Sequence, residues 1–257
     1  SAQLLQTCPK AEVVAVFGVG FDAVDIDACR SRGIRVTNTP DVLTGDVADL
    51  ALTMMLAQAR GTVAADAWAR SGRWAERPFP LTRRVHGGRA GIVGLGRIGM
   101  AIARRAAAFD MEIGYTSRSA KPDAVAFRHF EGVRDLADWS DVLFVALAAT
   151  PETRHIVSRD VIDAVGPDGM IVNISRAANI DESALIDALQ TGRLGAAALD
   201  VFEGEPRIDP RFRDLPNCLL QPHIGSGTVE TRAAMGQLVR HNLAAYFAGR
   251  PLLSPVV

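Results

Sequence analysis

A chain of 257 residues with 48% hydrophobic and 22% charged residues can bury a sizeable core, which excludes disorder. Lys+Arg 28 against Asp+Glu 29 leaves a net charge of −1, which excludes the basic footprint of a nucleic-acid binder or a polybasic membrane-surface protein. The longest unbroken apolar run, residues 142–149, is eight residues, far short of the roughly 18 of a membrane-spanning helix.

The opening Ser1-Ala2-Gln3-Leu4-Leu5 has no basic start and no apolar stretch before Cys8, so no signal peptide is expected. It reads as the interior of a helix, and a processed or truncated start is expected. Strands follow at residues 12–17 and 34–37, with a short helix at 24–32 between them. Residues 46–60 form a long helix with Thr44 as N-cap and Asp46 in the first turn. Its face Ala48, Leu52, Met55 and Ala59 is a core or dimer-interface stripe, core packing being favoured.

From residue 90 onward, apolar runs without alternation occur at 90–94, 111–116, 142–147, 170–174, 196–201 and 218–221. Helical stretches at 98–109, 133–139, 158–165 and 182–191 separate them. Such runs mark a parallel sheet covered on both faces, and right-handed crossovers make it doubly wound. Six strands match a complete dinucleotide-binding domain. The last helix, 229–248, stops at Gly249 with Pro251 just beyond. Cys8, Cys29 and Cys218 are odd in number and scattered. They are expected to be buried thiols of a reducing, cytoplasmic compartment, and no metal site is expected.

Gly94-Leu95-Gly96-Arg97-Ile98-Gly99 follows a predicted strand and opens a helix, the context a dinucleotide loop needs. Gly94 serves the tight turn, Gly96 lets backbone approach a pyrophosphate, and Gly99 lets helix pack on strand. The helix N-terminus supplies N–H groups and dipole for the phosphate charge. An NAD site carries an acid at the tip of the next strand. Here that tip reads Ser117-Arg118-Ser119-Ala120-Lys121. An Arg fork pairs a phosphate bidentately, so NADP(H) is expected in preference to NAD(H), which remains possible.

Arg176, Glu205 and His223 each lie just past a predicted strand, at the edge where open α/β sheets bind ligands. Singly each has a bland reading: a solvated Arg, a surface-turn Glu, a structural His. Together they suit carbonyl reduction beside a nicotinamide. His223 donates the proton, Glu205 orients it and favours the imidazolium, and Arg176 binds a carboxylate and polarises the carbonyl.

These residues carry a resemblance. The chain resembles the D-2-hydroxyacid dehydrogenase family, especially its glyoxylate/hydroxypyruvate and hydroxyphenylpyruvate reductase branch. The matching stretches are residues 17–22, 39–44, 94–99, 173–176, 199–206 and 222–232. The resemblance implies an α/β fold with a Rossmann cofactor domain and a second, flavodoxin-like substrate domain that is incomplete at its N-terminal side. The expected division is residues 1–44 for the partial substrate domain and 45–227 for the dinucleotide-binding domain. Residues 228–257 are a C-terminal helix returning to the substrate domain.

By the same resemblance Arg176, Glu205 and His223 are the catalytic set, and N–H groups around Val19 and Gly20 hold the substrate carboxylate. Asp200 faces the nicotinamide amide, and Thr150, Ser175, His223 and Gly225 complete the cofactor set. The implied reaction is NADPH-dependent reduction of a small 2-keto acid, such as glyoxylate or hydroxypyruvate, to the D-2-hydroxy acid by a homodimer. The alternatives are an NAD-linked relative with a bulkier substrate such as hydroxyphenylpyruvate, and a nucleotide-sensing relative without catalysis. One departure stands out: Arg176-Ala177 replaces the usual Arg-Gly, which would crowd the backbone if that position needs φ > 0.

Overall fold

A computed structural model of the chain describes residues 2–257; Ser1 of the helical opening lies outside them. In chain order the first elements are α1 (Ala2–Thr7), β1 (Val13–Ala15), α2 (Ile26–Ser31), β2 (Arg35–Thr37), α3 (Thr44–Ala59) and α4 (Thr62–Arg70). Next come β3 (Arg89–Val93), α5 (Arg97–Ala107), β4 (Glu112–Thr116), β5 (Arg128–His129), α6 (Val133–Trp139) and β6 (Val142–Val145). The remainder is α7 (Arg159–Val165), β7 (Met170–Asn173), α8 (Glu182–Thr191), β8 (Ala196–Leu199), β9 (Cys218–Leu220) and α9 (Val229–Phe247). They form two compact units, one of the residues up to Asp46 with Ser226–Val257, the other Val47–Gly225.

In the first unit β1 and β2 pair in parallel, Val13 with Arg35 through Ala15 with Thr37. Leu5, Cys29, Ile34 and Val36 form its small core. Asp25 starts α2 by accepting the Ala28 N–H at 2.9 Å, and Thr228 starts α9 by accepting the Thr231 N–H at 3.2 Å. The Thr228 hydroxyl also donates to Asp46. Hydrogen bonds from Thr228 and Thr231 hold the Asp46 carboxyl below its ordinary value.

The second unit is built on a seven-stranded sheet in the order β5-β4-β3-β6-β7-β8-β9, every pair parallel. Val142–Val145, Met170–Asn173 and Ala196–Leu199 are buried at every residue, as helices on both faces demand. The chain steps from β3 to β4 on one side and resumes at β6 on the other. The topological switch point is therefore the crevice between β3 and β6.

Several expectations need correction. The sheet has seven strands rather than six, because β5 is only the pair Arg128–His129 and leaves no apolar run to read. α4 was also unforeseen; none of its residues is buried, so no core-facing stripe marks it. α3 begins at Thr44 itself, so Thr44 lies within the first turn instead of capping it. Cys8 is exposed, although Cys29 is buried as expected. Ala48, Leu52, Met55 and Ala59 are all buried within the chain, so this stripe is core. Among the described residues no helix is long and apolar enough to cross a membrane, and no cluster suits a metal ion.

Candidate active site

At the end of β3 the glycines divide three tasks. Gly94 adopts φ +96°, and a Cβ there would stand 2.6 Å from the Cβ of Leu147, two residues past the neighbouring β6. A Cβ on Gly99 would stand 2.1 Å from the Gly94 carbonyl oxygen, so only hydrogen lets α5 sit this close to the strand. A Cβ on Gly96 would meet nothing within 4 Å, which leaves the backbone open to a ligand. Gly96 is also the N-cap of α5 and places no side chain over the helix N-terminus. Leu95 is buried, whereas Arg97 and Ile98 open the helix at the sheet edge.

Past β4 the basic turn closes on itself: the Ser117 hydroxyl donates to the Ser119 carbonyl. The Lys121 N–H donates to the Tyr115 hydroxyl at 2.9 Å. Arg118 and Ser119 are exposed at the tip. Thr150, past β6, is exposed and donates its N–H to the Thr153 hydroxyl at 2.8 Å.

Register brings the third group together. Asn173 pairs with Leu199 and Leu199 with Leu220, so β7, β8 and β9 end level. The loops carrying Arg176, Glu205 and His223 therefore emerge side by side. Glu205 Oε1 lies 2.6 Å from His223 Nδ1. Its other oxygen accepts the Phe202 N–H at 3.2 Å, so the carboxylate is anchored to its own turn. His223 adopts φ +55°, a left-handed conformation uncommon away from glycine and typical of functional sites. With Nδ1 engaged by Glu205, Nε2 is the nitrogen left to exchange a proton.

Buried polar residues hold these loops. Asp200 accepts the N–H groups of Ile224 and Gly225 at 2.7 and 2.8 Å, which fixes the loop of His223. Burial pushes the Asp200 carboxyl above its ordinary value, partly offset by those two bonds and by His223. The Ser175 hydroxyl donates to Asn173 Oδ1 at 2.8 Å and accepts from Asn179 Nδ2 at 3.0 Å. Asn173 Nδ2 donates to the Arg176 carbonyl at 3.2 Å, and the Arg176 side chain donates to the Ser175 carbonyl at 2.8 Å. Ser175 is thus turned into the protein. Sequence reasoning missed Asn173 and Asn179 as supports, since a buried amide leaves no periodic signal.

The expected crowding at Ala177 does not occur. Arg176 is extended at φ −142°, Ala177 opens a short 3-10 helix over Ala177–Asn179, and no positive φ is required there. A cavity of about 460 Å³ adjoins Glu205 and His223, lined further by Phe202, Pro206, Ile208, Leu220 and Pro222.

Val19 and Gly20 belong to the first unit. Asn38 Nδ2 donates to the Val19 carbonyl at 2.9 Å and the Thr39 N–H to the Gly18 carbonyl at 2.9 Å, so the loop is pinned through its oxygens. The N–H groups of Val19 and Gly20 have no acceptor among the described residues, which suits them to an anion.

Residues 52–225 match the family model for the D-isomer specific 2-hydroxyacid dehydrogenase NAD binding domain. The chain is 53% identical over 256 residues to glyoxylate/hydroxypyruvate reductase A of Arabidopsis thaliana, covering all of this chain and 82% of that protein. It is 52% identical over 256 residues to hydroxyphenylpyruvate reductase of Plectranthus scutellarioides, with the same coverage. In structure it is similar to the NADPH-dependent glyoxylate/hydroxypyruvate reductase of Sinorhizobium meliloti in complex with NADP and malonate. That likeness has a TM-score of 0.96 at 42% identity, over all of this chain and 81% of the other.

Proposed function

Because the chain belongs to the D-isomer specific 2-hydroxyacid dehydrogenase family, we propose that it reduces glyoxylate or hydroxypyruvate to the D-2-hydroxy acid with NADPH. The observation that carries the reading is the 2.6 Å contact between Glu205 and His223 on the sheet edge that also bears the glycine loop. The residues fit the dinucleotide: the space beside Gly96 admits a pyrophosphate, and Arg118 at the tip of the next turn suits a ribose phosphate. NAD(H) is the second cofactor this loop can take.

When bound, the reduced nicotinamide supplies the hydride. Arg176 draws electron density toward the carbonyl oxygen by its fixed positive charge. His223, protonated on Nε2, delivers that proton to the oxygen as charge develops. Glu205 holds the ring through Nδ1 and fixes its orientation. Asp200 keeps the loop of His223 in its unusual conformation through Ile224 and Gly225. To Val19 and Gly20, with their unpaired N–H groups, we assign the holding of a carboxylate oxygen.

The near-equal identity to a hydroxyphenylpyruvate reductase favours one further reading, in which the side chain of the keto acid is aromatic. Following NADPH consumption by the purified protein with glyoxylate, hydroxypyruvate and hydroxyphenylpyruvate decides between them. Absence of turnover with all three contradicts the proposal.

The remaining assignments are ours as well. Residues 45–227 form the dinucleotide-binding domain, and residues 1–44 with 228–257 serve the substrate. A homodimer is supported by exposed Val63, Trp74 and Leu81, which a second copy would cover. Three free cysteines, one of them exposed, suit a reducing cytoplasm.

A further inference from the structure

His155 sits where the two catalytic loops meet. Its backbone N–H donates to the Ala178 carbonyl at 2.8 Å, and the Val157 N–H to the Asn179 carbonyl at 3.0 Å. Both acceptors belong to the turn that follows Arg176. Its ring Nε2 is buried, has no hydrogen-bond partner among the described residues, and lies 3.9 Å from Glu203 Oε1. Glu203 belongs to the turn that carries Glu205, and its N–H donates to the buried carboxylate of Glu182 at 2.8 Å. His155 also adopts φ +50°, a left-handed conformation that the surrounding structure must hold. A buried, unsatisfied ring nitrogen and a strained backbone at one residue call for a reason.

We propose that His155 is a positioning residue for the catalytic pair. Its ring, with Nε2 3.9 Å from the Glu203 carboxylate, props the turn from which Glu205 reaches His223, and its backbone couples that turn to the loop of Arg176. The charged groups around this contact are Glu203 and Glu182, with Arg211 in the 3-10 turn Pro210–Asp214 and its N-cap Asp209 acting on Glu182. The inference rests on the reading that Glu205 and His223 carry the proton transfer.

The test uses His155→Phe, which keeps a ring and removes the donor, and His155→Gln, which keeps an N–H. Glu203→Gln removes the charge from the partner side, on a half-exposed side chain where folding is not at risk. Two readouts are taken on the full chain. One is the downfield proton resonance of a histidine Nδ1–H bonded to a carboxylate, assigned by its loss in His223→Gln. The other is the split of kcat from KM for glyoxylate, alongside NADPH affinity.

His155→Phe and Glu203→Gln should weaken or broaden the resonance. They should also lower kcat by about ten- to a hundredfold, as misplacement of a reacting group by about 1 Å does. KM and NADPH affinity should stay within about twofold, and His155→Gln should regain most of the loss. A resonance that is absent from the wild type, or unchanged in both His155→Phe and Glu203→Gln, overturns the inference whatever the turnover. A wild type that shows the expected resonance behaviour yet reduces no keto acid contradicts the proposed reaction and leaves the positioning role standing.

Discussion

The Gly94 carbonyl oxygen occupies the space where a side chain on Gly99 would begin: a Cβ there would stand 2.1 Å away. Gly99→Ala therefore has to push α5 off β3 or distort the loop, at about 1–3 kcal/mol. In the proposed reading the same shift moves the helix N-terminus away from the pyrophosphate. Thermal unfolding should show the loss of stability, and titration with NADPH should show a loss of affinity beyond it. Wild-type binding in the Ala variant would mean that the loop does not hold the cofactor.

Arg118 tests cofactor choice. It stands exposed at the turn past β4, where a ribose phosphate would lie in the proposed reading. Arg118→Ala should weaken NADPH binding by roughly ten- to a hundredfold, the range of a charge-assisted hydrogen bond, and leave NADH nearly unchanged. Equal losses for the two cofactors remove the phosphate from its role.

Arg176→Lys keeps the charge and loses the planar fork. The bond from the Arg176 side chain to the Ser175 carbonyl shows the fork already partly fixed by its own loop. A large fall in kcat/KM for the keto acid with NADPH affinity retained is expected. Near-wild-type turnover would reduce Arg176 to a source of general positive potential.

Asp141 ties β6 to β3 away from the active edge. It accepts the Arg89 backbone N–H at 2.7 Å and an Arg89 side-chain N–H at 3.1 Å. Burial opposes its charge, but the bonds from Arg89 outweigh burial and hold the carboxyl below its ordinary value. A lowered native pKa contributes stability that is present above the unfolded value of about 3.9 and lost as pH falls through the native one. Asp141→Asn should cost about 1 kcal/mol at neutral pH, the pair being partly exposed. The gap in melting temperature should close as the pH drops below about 4. A gap that persists in acid would show that the loss comes from packing rather than charge.

What was legible in the sequence was whatever repeats a pattern or occupies a strand end. The runs at 142–147, 170–174 and 196–201 became β6, β7 and β8, because a strand buried on both faces is apolar up to its end, where polar Asn173 and Asp200 appear. The glycine loop was readable since three separate steric demands fall at fixed spacing. β5 and α4 were not, one being two residues long and the other burying nothing. At the candidate site, single charged residues past strand ends could be named, but the supports could not. Asn179 and His155 act through contacts between segments distant in the chain, which only the folded register brings together, and Asn173 braces its own turn through short-range bonds that no periodicity marks.

The central claim is that His223, held by Glu205, passes a proton to the carbonyl oxygen of a 2-keto acid. Its most direct test is the pH dependence of NADPH-driven reduction of glyoxylate and of the reverse oxidation, in the wild type, Glu205→Gln and His223→Gln. Glu205 holds the ring through Nδ1, so Glu205→Gln should lower the reductive rate and alter its dependence on pH. Reduction needs the protonated ring and oxidation the neutral one, so the two directions should respond in opposite senses. His223→Gln should lose the pH limb and about 10²–10⁴ in rate, with NADPH affinity retained. A reductive limb unmoved in Glu205→Gln, or a His223→Gln variant that still turns over near the wild-type rate, would contradict the account.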